Sequence, residues 1–195
     1  MNYLAHIYLS ENNDKSKLGN FLGDFANKSL ENNFEYSIRN GIFMHRKLDS
    51  FTDSNPVFLE SKKRISNLNR RFAGVLIDMF YDHFLAKNWS EYSPMSLEEY
   101  ADNFYSILER FSYCLPDKLT RRMPLMIKEN WLLSYKEING IEISLERISW
   151  RFSESKHPLL NPIDELVRNY ENLEIDFKKF FPYAIQYANE LKHIN

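Results

Sequence analysis

Glycine and cysteine are scarce in this chain: 195 residues carry five of the first and one of the second. With Cys114 alone no internal disulfide can form, and without a C-x-x-C pair no cysteine-rich zinc module can be built. Both absences fit a reducing, cytoplasmic compartment. The chain has no phosphate-cradling glycine loop, no G-x-S-x-G elbow and no H-E-x-x-H pair, so the mechanisms built on those motifs lose their usual supports. A large charge of one sign is also missing. The formal net charge is −2, which argues against nucleic-acid binding by bulk electrostatics. The apolar opening stretch, residues 1–9, has no basic lead, is too short to span a bilayer and contains His6. It reads as folded protein rather than a signal, and no membrane partner is expected.

What the chain does have is apolar side chains at helical spacing. A hydrophobic content of 44% supports one sizeable core, no interior stretch reads as a linker, and residues 1–195 are expected to form a single domain. Apolar steps of three and four predict helices over roughly 14–28, 33–50, 56–68, 71–88, 97–113, 118–137, 142–152, 162–172 and 174–192, with a short one possible before them. The fold class is therefore all-α. Ser96-Leu-Glu-Glu99 has the form of a capping box, and Asn161-Pro162 puts proline at a first helical position. The stripes Tyr100, Phe104, Ile107, Leu108, Phe111 and Leu166, Tyr170 are core residues and carry no chemistry.

Three acidic and histidine clusters interrupt this pattern. Residues 72–86 are apolar all the way round a helix, yet they include Asp78, Asp82 and His83, which must therefore point inward. The stripe Phe34, Ile38, Gly41 continues in helical steps onto His45 and Asp49, so an apolar face becomes a chemical one. Asp24 lies at the edge of the stripe Leu18, Phe21, Leu22, Phe25, where Gly19 and Gly23 would admit another helix closely. Buried ionisable groups are costly unless they pair, hydrogen-bond or bind metal. Aspartate and histidine donors without thiolates suit Mn(II), Mg(II) or Fe(II). Each cluster also has a structural alternative: Asp49 paired with Arg46, Asp53 capping the helix that opens near Pro56, and His83 as a hydrogen-bonded core histidine.

Four segments carry a family resemblance: Asn2-Tyr-Leu-Ala-His6, Gly19-Asn-Phe-Leu-Gly-Asp24-Phe, Gly41-Ile-Phe-Met-His45-Arg-Lys-Leu-Asp49-Ser-Phe-Thr-Asp53, and Arg71 through Ala86. With Asn130-Trp-Leu132, Tyr135, Gly140-Ile141, Leu145 and Ser149-Trp-Arg151, the chain resembles bacterial acyl carrier protein phosphodiesterase from residue 1 to about residue 155. The resemblance implies a single-domain helical bundle, HD-domain-like, that releases 4′-phosphopantetheine from holo acyl carrier protein with a divalent metal, Mn(II) foremost. The adjacent pair here is Asp82-His83, the reverse of the usual HD order.

On that reading Asp24, His45, Asp78, Asp82 and His6 are the expected metal ligands, and Asp24, Asp49 and His83 the expected catalytic groups. His83 would be the acid, and Asp49 would orient His45 or accept a proton. Arg46, Arg71 and Arg151 are the expected substrate-binding residues, guanidinium being suited to phosphate. Lys62-Lys63-Arg64, Arg70-Arg71 and Arg121-Arg122 are candidates for a basic rim that meets the acidic carrier. Two alternatives stay open: an HD-like metal phosphohydrolase acting on a small nucleotide or other phosphodiester, and a non-catalytic helical binding module. The sequence leaves the oligomeric state unknown.

Overall fold

The computed structural model describes residues 1–150 and 158–193. Among these the regular structure is helical, without strands. The chain opens with α1 (Tyr3–Leu9), α2 (Asp14–Leu22), a single turn α3 (Lys28–Glu31), α4 (Tyr36–Ser54) and α5 (Pro56–Arg64). A tight 3-10 turn at Arg70–Phe72 leads into α6 (Ala73–Lys87), and α7 (Leu97–Arg110) follows. Three short helices come next, α8 (Asp117–Thr120), α9 (Met123–Lys128) and α10 (Trp131–Ser134), then α11 (Ile138–Trp150) and the long α12 (Pro162–His193).

Local chemistry explains most of these ends. Asn13 and Asn55 accept hydrogen bonds from the Ser16 and Val57 amides and start α2 and α5. The second cap belongs to Asn55 rather than Asp53. Ser96 accepts from the Glu99 amide at 3.1 Å, which is the hydroxyl half of a capping box, and α12 begins at Pro162. The expected helix over 118–137 is divided, because Asn130 takes a left-handed conformation (φ 45°) and Pro124 denies α9 a donor in its first turn. The two helical segments expected after residue 161 are also there, parted within α12 by a kink at Asn169 (φ −114°, ψ 15°) a few residues before the expected break.

The core is built around α6. Leu76, Ile77, Phe80, Phe84 and Leu85 are fully buried there, and Phe177, Phe180 and Phe181 of α12 pack against the same core. The closest helix crossing is α2 on α4. A Cβ on Gly19 would fall 2.1 Å from the Ile38 carbonyl oxygen, and one on Gly41 would fall 2.6 Å from that of Ser16. These glycines allow backbone to touch backbone, and the crossing lies beside the residues described next.

A candidate metal centre where α1, α2 and α4 meet

His45 sits on α4 one helical turn before Asp49, so the two side chains share a face. His45 Nε2 lies 3.0 Å from Asp49 Oδ2. From α1, His6 Nε2 reaches the other oxygen, Oδ1, also at 3.0 Å. The two imidazoles stack with centroids 3.8 Å apart. His6, His45 and Asp49 form the only group of three ligand atoms, among the described residues, close enough together to hold a metal ion.

Asn20 on α2 fixes both rings. Its backbone carbonyl accepts from His45 Nδ1 at 2.7 Å, and its side-chain oxygen from His6 Nδ1 at 3.2 Å. A carbonyl only accepts, so each Nδ1 carries a proton and each ring turns Nε2 toward Asp49. Burial, and then the neighbouring His45, pull His6 down to about 4, so it is neutral at physiological pH. Two imidazole Nε2 atoms facing one carboxylate are donors that a divalent ion takes together. The donor set therefore fits a metal. Asp49 is drawn well below the usual carboxylate range: burial pushes it up, but the contacts with His45 and His6 outweigh burial.

Gly23 at the end of α2 faces this centre, and a Cβ there would fall 2.2 Å from the His45 ring. Asp24, the next residue, is about half exposed, with a carboxylate oxygen 3.7 Å from His45 Nε2. The Met1 amino group bridges Asp78 at 2.8 Å and Asp49 at 3.5 Å. Burial pulls that amine down, but the paired carboxylates, Asp78 first, raise it to about 10. Burial raises Asp78 in turn, against the pull of the amine. Asp24 and Asp78 line a cavity of about 230 Å³ that continues into a cleft of about 530 Å³ with Trp131, Ile143 and Ile148 in its walls.

Of the expected site residues, His6, His45, Asp49, Asp24 and Asp78 therefore come together. Asp82 and His83 do not join them. The Asp82 carboxylate accepts from the Leu4 and Ala5 amides at 2.7 and 3.1 Å, which caps the first turn of α1. His83 Nδ1 donates to the Tyr135 carbonyl at 2.8 Å, and its Nε2 faces the Tyr170 hydroxyl at 2.8 Å. Burial lowers its pKa, which matches a neutral ring with both nitrogens engaged. Both groups point inward, as their helix requires, but they bind protein. Arg46 pairs with Glu31 rather than Asp49. Arg71 lies exposed in the turn before α6, away from both cavity linings, and Arg151 lies outside the described residues. Asn20, which orients both rings, carried no signal because its amide does not titrate.

A family model described as acyl carrier protein phosphodiesterase matches residues 1–184. The chain belongs to that family. A protein named acyl carrier protein phosphodiesterase from Photorhabdus laumondii is 31% identical over 193 residues, covering 96% of this chain and 95% of its own. One of the same name from Escherichia coli is 32% identical, with 97% and 98% covered. A third, from an Enterobacter species, is 33% identical, with 93% and 94% covered. No solved structure matches significantly. The family match spans every helix that contributes to the centre: α1, α2, α4 and α6. Among the described residues no helix is long and apolar enough to cross a membrane.

Proposed function

We propose that this protein hydrolyses the phosphodiester joining 4′-phosphopantetheine to the serine of holo acyl carrier protein, releasing apo carrier protein and 4′-phosphopantetheine in the cytoplasm. The observation that carries the reading is the convergence of His6, His45 and Asp49 beside the cavity lined by Asp24 and Asp78, in a chain of this family. A divalent ion bound there supplies Lewis acidity and a water usable as nucleophile near neutral pH. Mixed imidazole and carboxylate donors favour Mn(II) or Fe(II) over Mg(II), and Mn(II) is the first choice.

The chain's own groups do the rest. Asn20 holds both imidazoles in the tautomer that presents Nε2. Asp49 supplies the negative charge between the two rings. Asp24, exposed at the cavity mouth, orients the attacking water on the side of His45. Asp78 holds the amino-terminal segment against the centre. Asp82 and His83 act on the scaffold, one capping α1 and the other tying α6 to Tyr135 and Tyr170. For docking of the acidic carrier, Arg121-Arg122 is the favoured basic run, since Arg122 lines both cavities, whereas Arg64 is bound to Asp176 and Lys63 to Glu60.

Incubation with holo carrier protein and Mn(II), followed by mass measurement of the carrier, tests the reading. Loss of the arm with Mn(II) and retention in excess chelator is the expected pair of results. Unchanged carrier mass under both conditions overturns it.

A further inference from the structure

The polar cavity beside the metal centre and the apolar cleft share a neck, and Arg122 is the one basic residue that lines both. It is half-buried, and among the described residues its guanidinium has neither an ion pair nor a hydrogen bond. The cleft's other cation, Arg147, is already bound to Glu129. A guanidinium partly removed from water without an anion is unfavourable, and its planar donor fork matches a phosphate. On one side of the neck stand the carboxylates Asp24 and Asp78. On the other, the cleft combines apolar walls from Leu125, Trp131 and Ile143 with the polar groups of Asn2 and Ser144. That mixture suits a chain that alternates methyl-bearing carbon with amides.

We infer that Arg122 binds the substrate's phosphate at this neck, with the pantetheine arm lying along the cleft. The inference rests on the hydrolase reading and adds to it a phosphate-binding residue and an arm subsite. It also assigns Arg122 a role apart from its neighbour Arg121, which is exposed and lines neither cavity.

The test is calorimetric binding of 4′-phosphopantetheine and of pantetheine, which lacks the phosphate, to the full chain, with Mn(II) and again in excess chelator. In chelator the intact protein should prefer the phosphorylated ligand by about tenfold, as a charge-assisted contact provides. Arg122→Ala should erase that preference while leaving pantetheine affinity unchanged. Arg122→Lys should restore part of it, a point charge lacking the fork. Lys128→Ala, at an exposed position outside both cavities, should change neither. Ile143→Trp, which fills the cleft, should weaken both ligands several-fold. Undiminished phosphate preference in both Arg122 variants overturns the phosphate role, and undiminished binding of both ligands by Ile143→Trp overturns the arm subsite. If the binding pattern holds but holo carrier protein stays intact with Mn(II), the hydrolase reading fails while the binding site stands. If the carrier is stripped but Arg122→Ala retains its phosphate preference, the reverse is true.

Discussion

The rings of His6 and His45 lie face to face at 3.8 Å, tilted by only 20°, and both aim Nε2 at one carboxylate. Two imidazoliums would repel at that distance. The stack therefore helps keep His6 neutral, and Asp49 is the group that both rings face.

Asp49→Asn keeps the shape of the side chain and removes its charge. Affinity for Mn(II) should fall by more than about tenfold and turnover should be lost, with helical content intact. Asp53→Asn, on the same helix but largely exposed, should leave both unchanged. Calorimetric Mn(II) titration decides, and equal affinity in the two variants would remove Asp49 from the ligand set.

Gly23→Ala should act on chemistry more than on stability. The backbone there is already helical (φ −52°, ψ −37°), so alanine is not strained, but its Cβ would fall 2.2 Å from the His45 ring. Displacing the ring should lower turnover by at least about tenfold. Gly74→Ala meets nothing nearer than the Lys62 amine at 4.0 Å and should stabilise α6 by about 0.5–1 kcal/mol. Parallel melts and turnover assays check both, and normal activity in Gly23→Ala would count against a fixed His45.

His83→Ala leaves the Tyr135 carbonyl and the Tyr170 hydroxyl without their buried partner. The cost should be about 1–3 kcal/mol in denaturant unfolding, with Mn(II) affinity and turnover per folded molecule preserved. Loss of turnover without loss of stability would instead return His83 to catalysis.

Burial pushes Asp82 up to about 7 against the opposing pull of the Leu4 and Ala5 amides, while Asp78 and the Met1 amine face it across the same end of α1. An unfolded aspartate titrates near about 3.9. Between these values the folded state holds the extra proton, so this group's contribution to stability falls as pH rises from about 4 to about 7 and is level above that. The difference in unfolding free energy between the natural protein and Asp82→Asn should decline over that window. A flat difference would refute it.

Much of this was legible in the sequence. The all-round apolar character of residues 72–86 announced a buried central helix, and the step from His45 to Asp49 announced a chemical face on α4. Less legible was what each inward group binds. Asp82 and His83 are as buried as His45, yet their partners are backbone amides and carbonyls that have no sequence signature. His6 meets Asp49, and Asn20 meets the two rings, only through tertiary contact, and helical periodicity is silent about residues on different helices. The division of 118–137 turned on Asn130 entering a left-handed conformation, which apolar spacing does not report.

Because His6, His45 and Asp49 come from the short α1 and from α4, with Asn20 of α2 behind them, an ion at the centre would close a loop between chain segments 43 residues apart. Its binding free energy would then be folding free energy for the amino-terminal region. Amide hydrogen exchange should accelerate in α1 before the α6 core when metal is withdrawn, which would make the catalytic ion also the clasp that keeps the first helix in place.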